Sequence, residues 1–314
     1  MAETRILTFA DPDGYVAGFA DARLNLTITG AGDFKARLIR LKLQDLEVSL
    51  CCESLARIAH VLLPPEQIFL SFPIGTQSLI SDGFALRNGD MVLHGRGEST
   101  HQRSDGACQW GLISLSPERF ESYSKAVTGR EIAPPRPSRI LHPARADVTR
   151  FRRLFKEACQ LAEAKRKLIE CREVARALEQ EMLHAIINCV SANEAEDNQT
   201  RHRHAVIMAR FEEVLSQRID KKLNMPALCV EIGVPERTLR LCCAEFLGVS
   251  PTRYVLLRRL NKARSALRRA DPSMATVAEV ARDYQFLELG RFAVTYRTTF
   301  GESPSITLQR DPQI

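Results

Sequence analysis

Between Pro226 and Pro304 one helical unit occurs twice, and this repeat constrains the chain more than any other feature. The first copy is "PALCVEIGVPERTLRLCCAEF". Leu228, Cys229 and Ile232 share one face of a short helix, and Gly233 suits the left-handed residue that closes it. Val234 follows, then Pro235 and Glu236 open a second helix whose inner face is Leu239, Cys242 and Cys243. The second copy, "TVAEVARDYQFLELGRFAVTYRTTF", places Val280, Ala281, Tyr284 and Phe286 at an offset of 52 from Leu228, Cys229, Ile232 and Val234. One extra residue then enters the turn. Phe292 and Tyr296 answer Leu239 and Cys243, and "FGESP" answers "LGVSP", all at an offset of 53. A lone hairpin of this kind is weak evidence, since any tight helical corner needs similar residues. Two copies of one supersecondary unit are much harder to obtain by chance. The spacing predicts two helix-turn-helix lobes, a motif whose second helix enters the DNA major groove.

The segment between the copies, "SPTRYVLLRRLNKARSALRRA", carries seven basic residues (Arg253, Arg258, Arg259, Lys262, Arg264, Arg268, Arg269) and no acid. About 20 helical residues span roughly 30 Å, close to the ~34 Å of one turn of B-DNA. A helix of that length can hold two recognition helices in successive grooves. Its apolar residues (Tyr254, Val255, Leu257, Leu260, Ala263, Leu267) are expected to pack on both lobes. Its basic face reads first as solvated surface, with only some of the seven reaching phosphate. From Arg201 onward there are 19 Lys+Arg against 12 Asp+Glu, whereas the rest of the chain has 25 against 26. The whole positive excess therefore lies in the last third, as in a polyanion-binding module joined to a neutral one.

The stretches "ERTL", "LGVSPTRYVLLRRLNKAR", "VAEVA" and "GRFAVTYRTTFGESPS" together resemble the DNA-binding domain of the AraC/XylS family of bacterial transcription regulators, over about residues 205 to 310. The resemblance implies two helix-turn-helix lobes on a linker helix, binding double-stranded promoter DNA and contacting RNA polymerase. It also implies an N-terminal domain for effector sensing or dimerisation, often cupin-like, and a homodimer. Three positions depart from the family pattern. A family arginine of the first recognition helix falls on Leu241, the aromatic expected next falls on Cys243, and the usual turn glycine of the second lobe is Gln285.

The first lobe offers Glu236, Arg237, Thr238 and Arg240 to DNA. Arginine pairs bidentately with guanine O6 and N7, each good pair discriminating by about 1–3 kcal/mol. For each, the bland reading is a phosphate contact or a surface ion pair. The second lobe presents Leu287, Glu288, Leu289, Gly290, Arg291, Ala293 and Val294, poor in hydrogen-bonding groups, with Arg297 further on. Glu288, Arg291 and Arg297 are its polar candidates, suited to affinity and register more than base coding.

The preceding half reads as β-rich, then helical. "RLIRLKLQDLEVSL" and "DGFALRNGDMVLHG" alternate apolar and polar residues, the second around an Asn88-Gly89-Asp90 turn. Such strands predict an antiparallel, cupin-like β-barrel over about residues 26–130. "IAPPRPSR" then connects to helices over about 147–190. One stripe is Leu154, Phe155, Ala158, Leu161 and Leu168, and the other is Leu178, Met182, Leu183, Ile186 and Ile187. Those stripes either pack on the barrel or pair with a second subunit. The fold class is thus α+β: a 1–190 sensing and dimerisation domain, a linker at 191–204 ("SANEAEDNQTRHRH") and an all-α 205–314 domain.

In the barrel region His60, His94 and His101 lack the HxH spacing of a cupin metal site, so they read as core or surface histidines and no metal or cofactor is expected. His94, Arg96, Glu98, Arg103 and Trp110 are candidates for a polar effector pocket. Nine cysteines without CxxC spacing argue against a disulfide framework and read as small hydrophobes in a reduced compartment. Glu3 and Arg5 interrupt any leader-like start, and no run reaches the roughly 18 apolar residues of a membrane span. The reading is a cytoplasmic, nucleoid-associated, effector-responsive transcription regulator without catalytic chemistry. Two alternatives are a cupin-type metalloenzyme with a DNA-binding tail, marked by a stoichiometric metal lost on His94→Ala, and an architectural binder, marked by weak preference over bulk DNA.

Overall fold

A computed structural model describes residues 2–19, 22–133, 135, 137–164, 166–191, 199–217 and 224–310. Its N-terminal part opens with β1 (Glu3–Phe9), α1 (Pro12–Ala17), β2 (Arg23–Ile28), β3 (Ala36–Lys42), β4 (Leu46–Glu53) and β5 (Arg57–Leu62). It continues through β6 (Ile68–Ile74), β7 (Leu79–Ser81), β8 (Phe84–Leu86), β9 (Met91–Leu93), β10 (Ser99–Ser104) and β11 (Cys108–Leu115). Then come α2 (Pro117–Thr128), β12 (Arg139–Leu141), α3 (Arg145–Ala164), α4 (Arg166–Ile169) and α5 (Arg172–Ser191).

The strands form two antiparallel sheets, ordered β1-β3-β4-β11-β6-β9-β12 and β2-β5-β10-β7-β8. Each sheet keeps two end strands, so the architecture is two facing sheets and not the single closed barrel expected. The Asn88-Gly89-Asp90 turn shows the cause: it joins β8 of one sheet to β9 of the other, instead of closing a hairpin. Strand formation also starts earlier than residue 26, at β1, which pairs with β3 from Glu3↔Lys42 to Phe9↔Ala36.

The larger sheet is apolar on both faces. One face packs Ile39, Val48, Leu70, Phe72 and Ile113 under α3 and α5, so the stripes Leu154-Phe155-Ala158 and Met182-Leu183-Ile186-Ile187 are covered within the chain. Leu168 leaves that pattern. It lies on α4 and is 47% exposed, because α3 has already ended. The other face packs Leu38, Cys51 and Trp110 against Ile28 and Leu79 of the smaller sheet. Inside this layer Glu53 accepts hydrogen bonds from Tyr15 (2.7 Å), Trp110 (3.0 Å) and Arg57 (2.6 Å), a buried ion pair with its donors filled.

The C-terminal part is α6 (Gln199–Gln217), α7 (Met225–Ile232), α8 (Glu236–Leu247), α9 (Pro251–Arg269), α10 (Val277–Asp283), α11 (Leu289–Phe300) and α12 (Pro304–Gln309). Of the expected linker, residues 192–198 lie outside the described residues. Residues 202–204 are the first turns of α6, not linker, and His204 pairs with Glu245 at 2.6 Å. Met208 and Phe211 of α6 complete the first lobe with Leu228, Ile232, Leu239, Cys242 and Cys243. Tyr254 and Val255 of α9 join that core, while Leu260, Ala263 and Leu267 join the second lobe's Val280, Ala281, Phe292 and Tyr296. All nine cysteines are free thiols, seven of them buried. Among the described residues no helix is long and apolar enough to cross a membrane.

Candidate nucleic-acid interface

The two corners are built alike. Gly233 (φ 79°) donates to Cys229 O at 2.9 Å, and Val234 N also reaches Cys229 O at 3.1 Å. In the second lobe Gln285 adopts φ 62°, and Phe286 N reaches Ala281 O at 2.8 Å. Gln285 therefore does what glycine does in the first copy. The extra residue of the repeat lies after this closure, between Phe286 and the first turn of α11.

Both second helices present their N-terminal turns to solvent and dock their C-terminal ends on the sheets. On α8, Arg237 and Arg240 are exposed, Glu236 and Thr238 are half-buried, and Leu241 is 57% exposed. Glu236 holds the Arg240 guanidinium through Nε (2.9 Å) and Nη2 (2.6 Å). At the other end of α8, Gly248 lies against the Arg103 side chain. On α11, Glu288, Arg291, Val294 and Arg297 are exposed, with Arg291 and Glu288 3.2 Å apart. Its far end gives Phe300 O to Gly32 N at 3.1 Å. Neither α8 nor α11 has a side-chain N-cap, so the amides of their first turns are open to an anionic oxygen.

The basic face of α9 corrects its reading as solvated surface. Arg258 pairs with Glu212, Arg264 with Glu302 (2.8 Å) and Arg269 with Asp13. Arg259 donates to Tyr284 O (2.7 Å), and Arg268 to Ala10 O (3.2 Å). Arg253 is exposed near the helix start. Most of this charge therefore fixes the lobes and the sheets around the helix. Asn261 adds a two-way amide contact to the edge strand β2, accepting from Ile28 N (2.9 Å) and donating to Ile28 O (3.0 Å).

The five effector candidates have internal partners. His94 is buried with Nε2 2.8 Å from Ser71 Oγ, and burial holds its imidazole down to about 4. Arg96 donates to Pro65 O (2.9 Å), Glu98 accepts from Ser138 (2.6 Å), and Arg103 pairs with Asp105 (2.9 Å). Trp110 donates to Glu53. Burial pushes the Glu53 carboxyl up, but Arg57 and the Trp110 and Tyr15 donors outweigh it and hold it below the ordinary range. None of the five lines the large cleft of ≈ 2080 Å³ between the sheets and α9, whose walls include Asn25, Lys35, Gln109, Lys262, Ser265 and Arg268.

Sequence reading missed a second constellation at the same junction. His60, His101 and Glu212 converge there, since β5 pairs with β10 in the register His101↔His60. Burial lowers the His60 imidazole to about 4, although Glu212 pulls the other way. Burial raises the Glu212 carboxyl, yet the His101 hydrogen bond and the Arg258 charge hold it well below the carboxylate range. The histidines lie 41 residues apart in sequence, so only the strand register brings them together.

A family model described as a helix-turn-helix domain matches residues 228–310. Over 98 residues the chain is 38% identical to the probable thc operon regulatory protein of Rhodococcus erythropolis, covering 31% of this chain and 30% of that protein. Over 99 residues it is 33% identical to the XylDLEGF operon transcriptional activator 2 of Pseudomonas putida, covering 32% of this chain and 63% of that protein. The crystal structure of the AraC-like transcriptional activator CuxR aligns with 83% of this chain and 95% of its own, at 14% identity and a TM-score of 0.45.

Proposed function

We propose, since the C-terminal third of this chain belongs to the AraC/XylS family of transcription regulators, that the protein binds promoter DNA sequence-specifically and is controlled by a small-molecule effector. One observation carries the reading: α8 and α11 project exposed N-terminal turns from the two ends of one packed 19-residue helix. At 1.5 Å per residue α9 spans about 28 Å, which suits two major grooves on one face of a duplex.

In this reading Arg237 and Arg240 contact guanine edges, with Glu236 setting the Arg240 rotamer, and Thr238 and Leu241 complete the face. Leu241, Leu287 and Val294 meet thymine methyl groups, while Arg291 and Arg297 hold phosphates. The N-terminal sheets act as a cupin-like, effector-sensing module. A ligand in the cleft would touch both the sheets and α9, so its affinity would depend on how the two are docked, as a regulator requires. A homodimer formed around α4, where Leu168 is exposed, together with a contact to RNA polymerase in the bacterial cytoplasm, completes the reading.

The test is to select bound duplexes from a random pool at fixed salt, then repeat the selection with variants. Arg237→Ala and Arg240→Ala are expected to cost about 1–3 kcal/mol on the selected site and to relax its sequence preference. Arg291→Ala is expected to weaken all sequences alike and to reduce the salt slope by about 1. Relaxation by Arg291→Ala alone would reverse the roles of the lobes, and a pool with no enriched sequence would leave only an architectural binder.

A further inference from the structure

Cross-strand partners point to the same face of a sheet. His60 of β5 and His101 of β10 are such partners, and both imidazoles leave the smaller sheet on the side covered by α6. Their ring centroids are 4.9 Å apart. Glu212 enters from α6, with Oε1 3.0 Å from His101 Nε2 and Oε2 3.8 Å from His60 Nδ1. One donor atom from each of the three residues lies within 4.8 Å of the others. Both ring nitrogens of His60 are buried without a hydrogen-bond partner, a condition that buried polar groups rarely tolerate. Glu212 is itself oriented: Tyr254 donates to Oε1 at 2.6 Å, and Arg258 pairs with Oε2.

We propose that His60, His101 and Glu212 bind a divalent first-row transition-metal ion, of which zinc is the representative, at the junction of the sheets and the DNA-binding domain. Two imidazoles and one carboxylate, held by further hydrogen bonds, form the donor set such ions take, with water in the fourth position. Bonds of about 2.0–2.2 Å put tetrahedral donor atoms roughly 3.3 Å apart. The His101–Glu212 pair, at 3.0 Å, is already near that spacing, and the three donor atoms, which lie within 4.8 Å of one another, have to close by up to about 1.5 Å. Arg258 is the opposing charge. A bound dication draws on the same carboxylate and repels the guanidinium, so it ties β5 and β10 to α6 while loosening the hold of Glu212 on α9. Metal occupancy would in this way bear on how the first lobe sits against the sheets.

Untagged full-length protein, stripped with a chelator, is titrated with Zn²⁺ by calorimetry and with Co²⁺ by visible absorption. The expected result is one equivalent per chain, intense low-symmetry Co²⁺ bands, and at least about tenfold weaker binding in His60→Ala and His101→Ala. The His60 side chain makes no hydrogen bond, so His60→Ala and His60→Asn should keep the circular dichroism of the metal-free protein. The proposal is overturned if neither ion binds stoichiometrically, or if both His60 variants, folded by that criterion, bind zinc as tightly as the parent.

Discussion

Gln285 closes the corner between α10 and α11 with φ 62°, a conformation that costs a side-chain-bearing residue about 1–2 kcal/mol. Replacing it with glycine removes that strain but adds unfolded-state freedom of roughly 0.5–1 kcal/mol. Gln285→Gly is therefore expected to stabilise the protein by about 1 kcal/mol in denaturant titration, and a loss of stability would contradict the strain assigned to this turn. At the buried pair the sign reverses. Glu53→Gln leaves Arg57, 1% exposed, without its counter-charge and should destabilise by about 3–5 kcal/mol. His94 adds a pH dependence. Its imidazole is held at about 4 when folded, against an ordinary value near 6.5, so between those values the unfolded chain takes up the proton and the folded one does not. Stability from this residue is full above about pH 6.5 and declines as pH falls toward 4, by about 3 kcal/mol in the limit. Denaturation curves of His94→Gln should lose that slope relative to the parent. The left-handed corner was legible in the sequence because Gly233 marks its counterpart. The strain partners of the core, such as Glu53 with Trp110, were not, since they depend on which strands adjoin.

Among the elements, the helices of the last third are legible because their anchors recur at 3.6-residue spacing and several ends carry glycine or proline, as at Gly233, Gly248, Pro251 and Gly301. The bounds of α9 follow from Ser250-Pro251 at one end and the loss of pattern after Arg269 at the other. What the sequence concealed was the use of its charge. Five of the seven basic residues reach acids or carbonyls on other elements; two of them, Arg258 and Arg264, are largely buried against Glu212 and Glu302, where a charge needs a partner. Among the strands, β1 was missed: its solvent-rich burial pattern is that of an edge, with no clean alternation to read. The register of β5 against β10, which creates the histidine pair, is fixed by tertiary packing and has no local signature. The lobes should therefore differ in kind: the first, with Arg237 and Arg240 at its exposed turn, carries sequence choice, and the second carries affinity.

At the scale of the molecule, the sheets and the double helix-turn-helix are held together by Asn261 on β2, Phe300 on Gly32, Arg310 on Asp33 and Glu212 among the histidines. These contacts leave the first turns of α8 and α11 open on the outside while fixing their far ends. A small molecule in the cleft or an ion at the histidines would act on the same junction, which gives a physical route from sensing to DNA geometry. In the proposed function α8 and α11 enter successive grooves from the two ends of α9. Hydroxyl-radical footprinting of the full chain on its selected site, at fixed salt, tests it most directly. Two protected patches about 10 bp apart on one face of the duplex are expected, the one under the first lobe being lost first in Arg237→Ala. A single patch, or protection on opposite faces, would contradict it.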